Sequence, residues 1–239
     1  MKNKKGSQVG VVLSFIIFIT FIFFIYLITQ PALKVEQQDS SLEYLTDNLI
    51  ERASSNLTTV SVGITQQNPE SCVRLSGFFS ATGLGNRIIV NDNSGNALQS
   101  SIDTGDLFVV RNGNTFFKVQ ESSEFNVASS GATSPCQQLT EGSGYSFGIV
   151  KAGKDVFQAR ILSLIQNYTG DYEALKKQLK IPEGKEFDFS FTYGNGTKIS
   201  TNKNWTISSS INVYAKDVSI EYISKNASKE SGSINVKLW

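Results

Sequence analysis

Seven positions in this chain carry side chains suited to covalent chemistry. Cys72 and Cys136 are its two cysteines, and Asn56, Asn167, Asn195, Asn204 and Asn226 each open an N-x-S/T triplet with no proline in the middle. An even pair of thiols in an exported domain is read most simply as one disulfide. Such asparagine triplets arise by chance in chains rich in Asn, Ser and Thr, but five in one exported domain make them glycosylation candidates.

Other clusters suggest chemistry and are assigned to structure. Residues 91–96, NDNSGN, offer oxygen ligands for Ca²⁺ but lack the EF-hand spacing and its bidentate Glu, so they read as a hairpin turn. GLGN at 83–86 lacks the Lys-Ser/Thr of a phosphate loop and reads as a turn. Asp171 with Glu173, and Glu186 with Asp188, are the pairs that carboxylate catalysis would use. Their settings read as a helix start and a strand face. Trp205 and Trp239 could stack on a ligand but are assigned to sheet packing. Histidine is absent from the chain, which excludes His-based triads, His metal ligands and His pH switches. No catalytic residue, metal site or cofactor is expected.

These positions hang from one stretch. Val9 to Ile28, VGVVLSFIIFITFIFFIYLI, contains no charge, and none occurs between Lys5 and Lys34. As a helix, such a run covers ~30 Å, the thickness of bilayer hydrocarbon. Lys2, Lys4 and Lys5 crowd the short N-terminal flank, whereas Lys34 is soon offset by Glu36 and Asp39. The positive-inside bias therefore predicts a cytoplasmic N-terminus and an extracellular remainder, a single-pass protein of the cell membrane whose first partner is the lipid bilayer. A cleaved secretory signal is the rival reading, but it expects an apolar core of ~7–15 residues and a small-x-small cleavage site. Here the run is longer, and Gln30 would stand at −3 for a cut after Ala32. Gly10 and Ser14 form a small-xxx-small pair, the stripe where a second helix could approach closely.

The net charge of +1 predicts no strong attraction to nucleic acid or anionic lipid. The expected organisation is a basic leader at 1–7, a transmembrane helix at 8–30, its amphipathic extension at 31–58, and a β-rich head at 59–239 with a helical island near 155–180. In the extension, Leu42, Leu45, Leu49, Ala53 and Leu57 recur at three- and four-residue steps. One helix kinked near Pro31 is the economical reading, with two helices broken there as the alternative. Within the head, VSVGIT, CVRLSGFF and RIIVND read as strands. LFVVRNGNTFFKV reads as a hairpin about Asn112-Gly113, and Glu121 to Gly144 as a loop stapled back to Cys72. YSFGIV reads as a strand, DVFQARILSLIQNY and DYEALKKQLKI as helices, and EFDFSFTY, INVYAKDVSIEYIS and SINVKLW as strands. The fold class is α+β, with a mainly antiparallel head of one sheet or two subdomains.

Lys4-Lys5-Gly6-Ser7-Gln8, the apolar run and the amphipathic helix to Thr58 together resemble the class III signal and first helix of type IV pilin-like proteins, especially archaeal ones. The resemblance covers about the first 58 residues. It implies a prepilin-type peptidase cutting after Gly6 or Ser7, near Gln8, and a helix that anchors the subunit and packs with other pilin-like subunits. The acidic residue that often lies early in that helix is missing from 9–15, VGVVLSF, which favours a minor subunit or a permanently anchored protein. The expected function is a non-enzymatic, surface-exposed, structural or adhesive pilin-like subunit. A single-pass anchored binding protein or adhesin that never polymerises is the alternative, with an anchored extracellular hydrolase as a third class.

Overall fold

The computed structural model describes residues 5–67, 69–131, 135–201, 205–209 and 211–239, with backbone only for 5–9 and 30–39. A single helix, α1 (Lys5–Ala53), leads directly into strand β1 (Ser54–Ile64). There follow β2 (Cys72–Leu75), α2 (Phe78–Thr82), β3 (Ile88–Asn91), β4 (Ala97–Leu98), β5 (Ser100–Asp103), β6 (Asp106–Val110) and β7 (Phe116–Glu121). Then come β8 (Ser129–Ser130), β9 (Gln137–Leu139), β10 (Tyr145–Phe157), α3 (Gln158–Gly170) and α4 (Tyr172–Gln178). The chain closes with β11 (Phe187–Tyr193), β12 (Lys198–Ser200), β13 (Tyr214–Ile223) and β14 (Lys229–Leu238). The class is α+β, a helix carrying a largely β-sheet body.

Nine strands form one sheet in the order β12-β11-β14-β13-β10-β1-β7-β3-β4, and five form a second, β8-β5-β6-β2-β9. The large sheet has two halves. Strands β10 and β13 meet in parallel at only two residue pairs, Val156 with Tyr222 and Phe157 with Ile223. On one half, α1, α3 and α4 cover β11, β13 and β14, where Phe187, Phe189 and Phe191 face Leu45, Leu49, Tyr168 and Leu175 in one core. On the other half, the two sheets sandwich Val60, Val62, Val73, Leu75, Val109 and Phe117. A small third cluster, including Leu57, Phe125, Phe157 and Ile223, fills the joint.

Five local readings change. Helix α1 stops at Ala53 and not at Thr58, because β-branched Thr58, Thr59, Val60 and Val62 enter a strand paired on both sides, with β7 and β10. Leu57 fits the helical stripe as well as the strand, and is buried in the joint. In CVRLSGFF the strand ends at Leu75. Gly77 adopts φ 69°, and Phe78 then opens the short helix α2.

LFVVRNGNTFFKV is not a hairpin. Asn112 and Gly113 do take positive φ, 48° and 85°. But β6 pairs with β2 and β5, whereas β7 pairs with β1 and β3, so the turn passes the chain from one sheet to the other. Arg111, buried beside the turn, fixes this crossing. Its guanidinium donates to the carbonyls of Glu70 (2.5 Å), Asn114 (2.9 Å) and Pro69. Finally, the stretch from Asp155 expected as helix remains strand through Phe157, where pairing with β1 and β13 holds it extended. The loop Glu121–Gly144 contains the short strands β8 and β9.

Candidate functional site

The residues of the first half of α1 are apolar on every side. Gly10–Thr29 has mean hydropathy 3.0 and none of it is buried; Val11 is 67% exposed and Ile25 42%. A helix that is apolar all round needs an apolar surrounding. Even its threonine hydroxyls are satisfied from within: Thr29 donates to the carbonyl of Ile25 at 3.0 Å, and Thr20 to that of Ile16. This segment is long and apolar enough to span a membrane. Gly10 and Ser14 lie on its open surface, and a Cβ added at Gly10 would meet nothing within 4 Å. Gly6, Ser7 and Gln8 lie in the first turns of α1 by their backbone. The side chains of Ser7 and Gln8 fall outside the described residues, as do Lys2 and Lys4.

The second half of the same helix presents one stripe. Leu42, Leu45, Leu49 and Ala53 are 5% exposed or less and sit in the aromatic core. Thr46 donates to the carbonyl of Leu42 at 2.7 Å, so its hydroxyl enters this core satisfied. Arg52 reaches across to the carbonyl of Gln178 at 2.7 Å, and Lys216 of β13 pairs with Glu43.

Cys72 and Cys136 form a disulfide spanning 64 positions. Strands β2 and β9 run parallel with Val73 beside Gln137, which brings the preceding cysteines to a Cα–Cα distance of 4.7 Å. Asn56, Asn167, Asn195 and Asn226 are all exposed, and Asn204 lies outside the described residues. Their backbones differ. Asn56 is held in β1 opposite Lys154, and Asn167 lies on α3. Asn195 sits in the β11–β12 turn, its side-chain oxygen accepting from Thr197 N at 2.9 Å. At the Asn226 triplet, the Ser228 hydroxyl already donates to the Gly95 carbonyl at 2.8 Å.

The other candidate groups have structural partners. Asp92 accepts from the backbone amides of Ser94 and Asn96 and from the Asn96 side chain, so the 91–96 segment forms the expected turn between β3 and β4. These hydrogen bonds, above all that from Asn96, hold the Asp92 carboxyl below the usual carboxylate range. Gly83 caps α2, and Gly85 N donates to Glu121 at 2.7 Å. Asp171 caps α4 through Ala174 N at 3.0 Å. Glu186 accepts from the Tyr172 hydroxyl (2.5 Å) and from Lys176 (2.7 Å), and Asp188 accepts from Thr201 (2.6 Å). Among the described residues no group of three or more His, Cys, Asp or Glu is placed to hold a metal ion.

Two features escaped the sequence reading. One is an aromatic cluster at the base of the C-terminal strands. Trp205 donates to the Tyr168 hydroxyl at 2.9 Å and packs edge-on to Trp239 at 5.3 Å. Burial pushes the Tyr168 and Tyr172 phenols well above their usual range. The other is a cleft of about 590 Å³ over the joint, lined by Ile89, Glu124, Phe125, Phe157, Ile223 and Lys225 among others. That volume suits a small ligand. Its walls are drawn from five separate segments between Ile88 and Lys225, so no local pattern announced it. Compared with protein-family models, with curated proteins and with solved structures, the chain matches none.

Proposed function

We propose that this chain is a membrane-anchored, surface-exposed subunit of pilin-like build, with a structural or adhesive role and no enzymatic one. The observation that carries the reading is the division of labour within α1. One unbroken helix holds a 20-residue apolar segment with no buried residue and then a stripe that completes the head's core. The first half asks for lipid or for other apolar helices, and the second ties that anchor rigidly to the head. The lysines before the span orient the N-terminus to the cytoplasm and the head to the exterior, where a disulfide persists and exposed sequons meet glycosylation machinery. Lys5-Gly6-Ser7-Gln8 is the junction at which a prepilin-type peptidase would act.

A second reading, an anchored surface binding protein or adhesin that does not polymerise, is favoured by the lack of any acidic residue from Val9 to Phe15. The mature N-terminus, read by mass spectrometry on membrane-extracted protein, tests both. A chain beginning at Ser7 or Gln8 and recovered in filaments supports the pilin-like subunit. A chain that begins at Met1 and stays in the membrane fraction supports the permanent anchor. Proteolysis of intact cells that spares the head overturns both.

A further inference from the structure

Among the described residues outside the apolar segment of α1, six large hydrophobic side chains are exposed, and three of them, Tyr44, Ile211 and Val213, lie at one end of the head. That end is where α1 leaves the head. Ser40, Ser41 and Tyr44 border the 179–182 turn and Leu238. Tyr214 pairs with Leu238, so Val213 and Ile211 precede β13 on the same side. Trp239 follows Leu238 and packs with Trp205, and both are half-buried. Lys180 is exposed beside them.

The span lies close by. Thr29 ends the apolar segment, and Glu43, fourteen positions on, pairs with Lys216. Helical rise puts Glu43 ~21 Å beyond Thr29 along the axis. Strand β13 runs from Lys216 back toward Val213, which recovers ~10 Å of that distance. About 11 Å then separates this end from the hydrocarbon, against ~5–8 Å for one headgroup layer, and a helix tilt that leans this side of the head toward the bilayer closes the remainder. Tryptophan and tyrosine settle at that depth because an apolar ring with a polar edge suits it, and a lysine beside them meets lipid phosphate.

We propose that the head is seated on the bilayer through this end, with Trp205, Trp239, Tyr44, Ile211 and Val213 at the headgroup layer. The inference rests on α1 spanning the membrane. It assigns the lipid surface a second role: besides holding the helix, it fixes the tilt of the head.

The chain's two tryptophans make this directly measurable. The full-length protein is reconstituted in phosphatidylcholine vesicles carrying a spin label either on the headgroup or deep in the acyl chain. The headgroup label should quench tryptophan emission and the deep label should not. Changing Ile211 and Val213 both to Asp should lift the end off the surface and raise quenching by aqueous iodide roughly twofold. Protease digestion of the same vesicles reads the span independently. If Gly10–Thr29 is protected yet the headgroup label has no effect, the seating is wrong and the anchor stands. If the span is cleaved, the anchor itself fails. Shielding that disappears when the protein is diluted within the membrane means a second copy covers this end, which also overturns the proposal.

Discussion

The core on the C-terminal strands is filled by aromatic rings and closed by the helix that carries the apolar segment. The core between the two sheets is filled by aliphatic chains and closed by a disulfide. In the first, Tyr168, Tyr172, Phe187 and Phe189 meet edge-on or stacked at 4.9–6.4 Å, and Leu45 and Leu49 of α1 complete the packing. In the second, Val60, Val62, Val73, Leu75 and Val109 are fully buried, and the covalent link ties β2 to β9 at the sheet edge. The difference locates the mechanical path. A force or tilt applied to the apolar half of α1 reaches the aromatic core directly, whereas it reaches the sandwich through the narrow β10–β13 joint, the α1–β1 connection and the contacts of Asn91 and Ser228 between turns.

The comparison breaks most sharply at Leu49, which is 1% exposed. Leu49→Asp buries an unpaired carboxylate against the aromatic core and should cost more than ~4 kcal/mol. Both tryptophans report on that region, so their emission should shift to the red. Hydrogen exchange in peptides from β6 and β7 should change far less. Equal loss of protection in both regions would make the head a single cooperative core.

Cys72→Ser tests the converse. Opening a closed loop of 64-position span should cost about 4 kcal/mol on the chain-entropy account. The loss should appear in exchange of β2, β6 and β9 while tryptophan emission holds. A variant whose tryptophan signal melts first would reverse the assignment of which core the disulfide protects.

Alkaline titration separates the cores chemically. Burial is the main cause raising the phenols of Tyr168, Tyr172 and Tyr222 above their usual 10.0, and all three belong to the aromatic core. A raised folded-state value means the unfolded chain ionises first. Their contribution is therefore fully present below pH 10.0 and is lost as pH rises above it, at about 1.4 kcal/mol per pH unit for each tyrosine. In the sandwich, Tyr145 alone among the described tyrosines is raised in this way. Above about pH 10 the tryptophan-reported transition should fall more steeply than the exchange-reported sandwich transition. Parallel slopes would count against independent cores.

Much of this fold could be read from periodicity alone. The stripe Leu42-Leu45-Leu49-Ala53 and the alternation of Phe187, Phe189 and Phe191 each bury the face their spacing implies, and the apolar run stays exposed on every side. The disulfide was legible because the chain has two cysteines. Pairing partners were not legible. Strands β6 and β7 are two apolar runs about a good turn, yet nothing local states that each has a better partner in a different sheet. Leu57 satisfied two periods at once, and only the β-branched residues after it decide for strand. The aromatic base and the joint are built from residues far apart in sequence, and such contacts leave no spacing signature.

The smallest effect lies at the joint, and it decides whether the two cores communicate. Asn91, 2% exposed, donates to the carbonyls of Gly95 (3.0 Å) and Asn226 (2.9 Å), 135 positions apart in the second case. Ser228 donates to the same Gly95 carbonyl at 2.8 Å, so the β3–β4 turn of the sandwich is clamped to the β13–β14 turn of the aromatic core. Asn91→Ala removes both donors and leaves the Asn226 carbonyl without this partner, a loss of ~1–2 kcal/mol. Little of it should come from either core, since Asn91 lies in neither cluster. The expected result is a small fall in stability together with a wider separation of the tryptophan and exchange transitions than in the wild type. Ser228→Ala should give the same separation at smaller amplitude. If Asn91→Ala lowers both transitions together, the clamp is ordinary packing, and the β10–β13 pairing alone couples the cores.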